Sequence, residues 1–445
     1  MDLALQTSSQ LHTLESASIN VHSRPGAFTA EDHHKHYQAR RSIAERAANN
    51  KGQALTPELE ELKILIETNA RFHLYFTQMF DQVPSLYTED IAGNPLIRDY
   101  EHLLQALNLV VTNPPPQSSL PLPIYDLLAF PLGTTSGFAA FVDPEVNELL
   151  HCMLSRWGAY LKTNDSASDL TTQDGGWLAP TVLASFAATA NAPFNTTRTF
   201  EQIFECDPGA EHYGFNSWND FFTRQFRPGL RPIASPDDDD IIVSACESRP
   251  VGTSKGVQLR DKFWAKGQPY SLVDMLGDET IATSFVNGTV FQAFLSAESY
   301  HRWHSPISGT VRYAYNIQGT YYSNPLFASF VGLNASDFIV GETAAIDGSR
   351  SYLSAMATRA VVVLEADDPK IGLVAFIAIG MEEISSCEIT VKIGQHVKKG
   401  DETGSFHYGG SSYALIFQPG LDLVDFPAPN HNQSGLNSPV AVVAV

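Results

Sequence analysis

The feature that most limits how this chain can fold is a change of periodicity near residue 240. Up to about residue 205, apolar residues recur at helical spacing. From Ile241 onward they come in short runs bounded by Gly, Asn and Asp, which is the pattern of strands and turns. Thr56-Pro57-Glu58 is a helix start, with a capping hydroxyl, proline at the first helical position and an acid in the first turn. Leu59, Leu62, Ile66 and Phe72 follow on one face, and a proline-rich loop spans 112–123. Asp143-Pro144-Glu145 repeats the start signal ahead of Val146, Leu149, Leu150, Met153 and Trp157. Further helical stretches are expected at 181–190 and 199–206, and a short one from Asn216 to Phe222. Ser235-Pro236 and the acids Asp237 to Asp240 form a linker. Strands are expected at 289–295, 310–315, 360–365, 372–379 and 387–393. The expected class is α+β. A polar segment at 1–50 precedes a mostly helical domain at 51–205. A helix and acidic linker at 206–240 lead to a β-rich barrel or sandwich at 241–445.

Charge narrows the partners. With 49 acidic against 28 basic residues the net charge is −21, which disfavours nucleic acid and an anionic lipid surface. No segment approaches the roughly 18 apolar residues of a membrane helix. The longest apolar run, 371–381, is broken by glycines and reads as a buried strand. Met1-Asp2-Leu3-Ala4 lacks the basic start and apolar core of a secretory signal. Cys152, Cys206, Cys246 and Cys387 are scattered, with no CxxC pair, and read as reduced buried thiols of a cytoplasmic protein. Asp32-His33-His34-Lys35-His36 suits no common metal site and reads as a solvated helix start.

Four stretches can carry chemistry. Tyr300-His301-Arg302-Trp303-His304-Ser305-Pro306 holds two histidines three apart, readable as acid–base groups, as part of a metal set or as core. Ser244-Ala245-Cys246-Glu247-Ser248 places an acid just after a strand, where it can orient an imidazole or sit in an exposed turn. Gly394-Gln395-His396-Val397-Lys398-Lys399-Gly400-Asp401 looks like the hairpin of a lipoyl or biotinyl carrier domain, yet lacks the lysine beside methionine at the tip. Phe406-His407-Tyr408-Gly409-Gly410-Ser411-Ser412 sets a hydroxyl just beyond two glycines, whose backbone has conformations closed to other residues. Ser411 can attack the Gly410 carbonyl if a base takes its proton. A glycine-rich hairpin is the plain alternative.

Three motifs in this order carry a resemblance: Asn219-Asp220-Phe221-Phe222-Thr223-Arg224 with Arg227-Pro228-Gly229, then Tyr300 to Pro306, then Gly409-Gly410-Ser411-Ser412. Over about residues 213–430 the chain resembles the phosphatidylserine decarboxylase family, and Lys266 to Leu272 and Phe285 to Gly288 fit it too. The helical first half and the Gly-Gly-Ser-Ser form are similar to the fungal, pyruvoyl-dependent L-tryptophan decarboxylase branch. The resemblance implies self-cleavage between Gly410 and Ser411, leaving a β fragment 1–410 and an α fragment 411–445 that stay together. It implies a covalent pyruvoyl group (pyruvate) made from Ser411, which binds the substrate amine as a Schiff base without pyridoxal phosphate or a metal. It assigns decarboxylation and proton donation to His301, and the processing base to His304. Glu247 falls where the family has the aspartate of an Ala-Asp-Gly turn. Here glutamate replaces aspartate and the glycine is lost. The expected reaction converts an aromatic amino acid, L-tryptophan first, to tryptamine and CO2, with no nucleic acid and no stable membrane partner. The alternatives are a phosphatidylserine decarboxylase forming phosphatidylethanolamine and a non-catalytic carrier-like or scaffold protein.

Overall fold

The structure, a computed structural model, describes residues 30–444 except 51, 84–95, 118–121, 262–269, 324–351, 381–382, 384–385, 409–410 and 430–432. Gly410, most of Lys266 to Leu272, and the side chains of the His33–His36 cluster therefore lie outside the described residues. The first half is helical: α1 Ala30–Asn49, α2 Pro57–Thr68, α3 Ala70–Asp81, α4 Tyr100–Val111, α5 Pro123–Leu128, α6 Thr135–Phe141, α7 Pro144–Leu161, α8 Pro180–Asn191, α9 Phe200–Ile203 and α10 Trp218–Phe222. Asp143 caps α7 through the Glu145 amide. The Thr56 hydroxyl makes no cap and is buried without a partner among the described residues, while the Thr56 N–H donates to the buried Asn108 Oδ1. The segment read as polar includes α1, which packs Ile43, Ala44 and Ala47 inward.

From Ile241 the chain is strands, with α11 Leu272–Leu276 and α12 Glu279–Thr283 between them. The strands are β1 Ile241–Val243, β2 Arg249–Lys255, β3 Thr289–Leu295, β4 Arg302–His304, β5 Gly309–Ile317, β6 Arg359–Ala366, β7 Leu373–Gly380, β8 Ser386–Ile389, β9 His396–Val397, β10 Glu402–His407, β11 Ser411–Phe417, β12 Leu423–Val424 and β13 Pro439–Val443. Seven of them form one sheet in the order β2-β3-β11-β7-β6-β5-β9. Smaller sheets are ordered β4-β10-β8 and β1-β13-β12. The barrel alternative is corrected here: β2 and β9 end the large sheet without pairing, so it is open. It is closed off by packing instead, since Trp303 of β4 stacks on Phe376 of β7 with ring centroids 4.8 Å apart.

Side-chain alternation divides the large sheet into two faces. Ala414, Ile416, Ile377 and Val361 face α11 and α12. Tyr413, Leu415, Phe376 and Leu295 face a core that runs without interruption into the helical half, through Trp157, Trp218 and Phe72. The boundary expected at 206–240 therefore does not separate two cores. Removing the Trp303 ring should cost about 3–5 kcal/mol. A Trp303→Ala chain is expected to unfold at a correspondingly lower denaturant midpoint.

Candidate active site

Ser411 opens β11, the third strand of the large sheet. Its Cα partners are Leu295 of β3 and Gly380 of β7. Alternation puts its side chain on the face of Tyr413 and Leu415, toward the helical half. The hydroxyl is fully buried and has no hydrogen-bond partner among the described residues. A buried hydroxyl without a partner is costly, so it marks a group held for chemistry more often than for stability.

The approach to Ser411 is strained and clamped. Tyr408 has φ +70°, in the left-handed region. Its hydroxyl donates to Gly158 O of α7 at 2.9 Å. Its ring sits among Trp157, Trp218 and Phe222, with centroids 6.3, 5.9 and 6.2 Å away. A Cβ at Gly158 would lie 3.1 Å from that ring, so a side chain there requires the Tyr408 ring to give by a few tenths of an ångström.

His301 stands on the loop that leaves β3 just past Leu295. Its Nε2 lies 3.2 Å from Ala297 O, and a carbonyl only accepts, so Nε2 carries the proton. Nδ1 is thereby the acceptor nitrogen, and it is buried without a partner. The ring stacks on Phe222 at 4.5 Å. Burial, reinforced by the nearby Arg224 guanidinium, holds its pKa down to about 3. The imidazole is thus neutral near pH 7, with its one proton committed to Ala297. In this state Nδ1 is a hydrogen-bond acceptor and only a weak base, and the proton donation that the resemblance implies would draw on the Nε2 proton now bonded to Ala297 O.

Arg224 secures that loop. It is buried, donates to Glu298 O at 2.8 Å and Ser299 O at 3.3 Å, and lies over the Phe186 and Phe204 rings. The Glu298 carboxylate accepts from Ser185 at 2.8 Å and Thr189 at 3.0 Å, both on α8. The helical half therefore fixes the backbone that presents His301.

His304 and Glu247 are placed differently from the expected triad. His304 Nδ1 donates to Gly400 O at 2.8 Å, which leaves Nε2 as acceptor, 3.5 Å from the Tyr300 hydroxyl. Burial lowers its pKa, opposed by the Gly400 carbonyl. Glu247 bonds Arg231, whose Nη2 donates to Ala190 O of α8 at 2.8 Å. No hydrogen bond joins Glu247 to His304, and neither reaches the Ser411 hydroxyl. The physical reason is charge: a carboxylate with 1 % exposure needs a cation, and Arg231 supplies one where an imidazole held neutral does not.

Sequence reasoning passed over Tyr408, Arg224, Arg231 and Glu383. The last follows β7 by three residues and is buried, with Oε1 accepting from Ile124 N at 2.5 Å and Tyr125 N at 2.9 Å. A cleft of ≈ 610 Å³ along α8, lined by Leu183, Asn191, Arg198 and Tyr213, includes none of these groups. Among the described residues no cluster of His, Cys, Asp or Glu could hold a metal, and no helix is long and apolar enough to cross a membrane. Cys246 and Cys387 are buried, whereas Cys152 is exposed.

A sequence model described as phosphatidylserine decarboxylase matches residues 218–434, and a second of the same description matches 56–186. The decarboxylase iboD of Amanita muscaria is 42% identical over 300 residues, covering 67% of this chain and 84% of that protein. This chain belongs to the phosphatidylserine decarboxylase family. It is a carboxy-lyase of that type. An L-tryptophan decarboxylase of Psilocybe cubensis is 34% identical over 384 residues, 84% of this chain and 83% of that protein. The phosphatidylserine decarboxylase proenzyme 3 of Schizosaccharomyces pombe is 32% identical over 213 residues, 48% of this chain and 20% of that protein. The match to the Psilocybe cubensis relative, over 84% of this chain, takes in part of the helical half of this decarboxylase.

Removing Glu247 alone would leave the Arg231 guanidinium buried and unpaired, at a cost of about 3–5 kcal/mol. Glu247→Ala is expected to show that loss in chemical denaturation, and Arg231→Met combined with Glu247→Leu to recover most of it.

Proposed function

We propose that this chain cleaves itself before Ser411 and then decarboxylates aromatic L-amino acids, L-tryptophan to tryptamine first. The observation that carries the reading is the Ser411 hydroxyl, buried and unpartnered at the mouth of a core strand. The substrate class rests on the L-tryptophan decarboxylase relative, whose match runs over most of both chains. The phosphatidylserine decarboxylase relative matches less than half of this chain, which favours the amino acid over the lipid.

The chain's own residues fit a pyruvoyl group made from Ser411. The position is dry, and both neighbouring strands hold it in register. When formed, that group supplies a ketone that condenses with an amine and draws off the electrons released by CO2. His304 would take the Ser411 proton through Nε2, which here faces the Tyr300 hydroxyl at 3.5 Å, so the ring must turn from Tyr300 toward Ser411 before the cut. Ser411 Oγ attacks the Gly410 carbonyl while the Ser411 nitrogen leaves with a proton, which turns the peptide bond into an ester; elimination frees the Gly410 carboxylate and leaves dehydroalanine at 411, which water converts to the ketone with release of ammonia. Burial of 411–417 between β3 and β7 keeps the two fragments together after the cut. His301 Nδ1 is free to accept a hydrogen bond from the substrate amine once that amine has lost its extra proton, and so orients it for attack. The rings of Phe222, Tyr408 and Trp218 offer an apolar wall suited to an aromatic side chain.

Two tests follow from these roles. Purified protein given L-tryptophan should release CO2 and tryptamine, and should leave phosphatidylserine vesicles unchanged; the opposite pattern would establish the lipid enzyme. His301→Ala should still appear as two fragments on a denaturing gel while losing about 10²–10⁴-fold in decarboxylation rate. His304→Ala should remain one chain.

A further inference from the structure

Ser411 Oγ, His301 Nδ1 and Glu383 Oε2 are buried polar atoms with no hydrogen-bond partner among the described residues. The first two have roles above. Glu383 does not, and its place in the topology is specific. The chain after Gly380 leaves the strand beside Ser411 and enters β8, whose Cys387 is opposite Phe406 and whose Ser386 is opposite His407 of β10. The chain from Tyr408 to Ser411 joins those same two strands, β10 and β11. Glu383 therefore belongs to the connection that shares both its neighbours with the cleavage turn.

Its carboxyl is held, not loose. Oε1 accepts the Ile124 and Tyr125 amides at 2.5 and 2.9 Å, which fixes the plane of the group and leaves Oε2 with no bond to the protein. The residue is 1 % exposed. Both amide donors come from α5, so the helical half aims this carboxyl just as it aims His301.

We propose that Glu383 delivers the proton that replaces CO2 on the substrate's α carbon. This rests on the decarboxylase reading of Ser411. Each turnover removes CO2 and leaves an electron pair on that carbon, which must take one proton. Neutral His301 has one proton, and it is bonded to Ala297 O. Glu383 has the other profile. Burial, with a further push from the Asp126 carboxyl on α5, raises its pKa to about 8 against the pull of the Tyr125 and Ile124 amides and of its own. The group is then a neutral acid near pH 7, and its proton belongs on the oxygen that accepts nothing, Oε2. It gives that proton to carbon, becomes a carboxylate and is reprotonated from solvent before the next cycle. An acid with a pKa near the working pH is the effective donor for such a step.

The test compares the parent with Glu383→Gln, which keeps an acceptor for the α5 amides and loses the acid, and with Glu383→Asp, which keeps an acid. Glu383→Gln should cleave into two fragments like the parent, and lose about 10²–10⁴-fold in the decarboxylation rate constant. The parent's rate should fall as pH rises through about 8, where the acid form disappears, and that limb should be absent in Glu383→Gln and present in Glu383→Asp. Mass spectrometry of the α fragment after turnover gives a readout independent of rate. Without the donor, the proton can go to the pyruvoyl carbon; water then releases an aldehyde, and the amine nitrogen stays on the fragment. Glu383→Gln should accumulate that aminated fragment faster per turnover than the parent. Parental rate and the same descending limb in Glu383→Gln would overturn the proposal. So would a Glu383→Gln chain that stays uncleaved, which assigns the residue to folding or processing. Failure of the underlying reading looks different, because the parent itself would then be uncleaved or inactive on amino acids.

Discussion

The structure depends on β11 being a fully buried strand, paired along its length on both sides. Every residue from Ser411 to Phe417 is buried, with β3 on one side and β7 on the other. A strand so placed presents alternate residues to two apolar layers, and each layer must be supplied. On the Ala414 side α11 and α12 do this. On the Ser411 side the strand-rich half has too little of its own, and the helices complete it. A chain break ahead of residue 411 would sever one turn and leave this ladder whole.

That requirement explains what the helical half does. It is bound to the site at several points by polar contacts made inside an apolar boundary. Tyr408 bonds α7, Glu298 bonds α8, Arg231 bonds the last turn of α8, and Glu383 bonds the first turn of α5. Tyr408 and Glu298 lie close in the chain to Ser411 and His301, Glu383 lies just past Gly380, the β7 partner of Ser411, and Arg231 holds Glu247. In a dry environment such bonds are expensive to break and geometrically exacting. The helices are therefore part of what buries Ser411, His301 and Glu383, and their loss would expose the strand and these groups to water.

Much of this was legible in the sequence because it was local. The strand 289–295 was expected where β3 lies, and Asp143-Pro144 starts α7 as its chemistry requires. The motifs around His301 and Ser411 were readable for the same reason. What escaped was non-local. Whether seven strands close depends on the meeting of β2 and β9, which are far apart in the chain and do not pair. The partner of Glu247 could not be read from Cys246-Glu247-Ser248, since Arg231 reaches it across the fold. Glu383 drew no reading from Gly380-Met381-Glu382-Glu383, because its partners, the Ile124 and Tyr125 amides of α5, lie far away in the chain. His301 was legible as an acid–base group, but which nitrogen holds its proton was not, because the Ala297 carbonyl sets the tautomer.

The most direct measurement is the intact mass of the purified protein. Two species are predicted, with the smaller beginning at residue 411 and lighter, by one ammonia, than a fragment with serine at its start; a hydride donor should reduce its ketone and abolish activity. A single uncleaved chain of 48.7 kDa that decarboxylates amino acids at full rate would contradict the account.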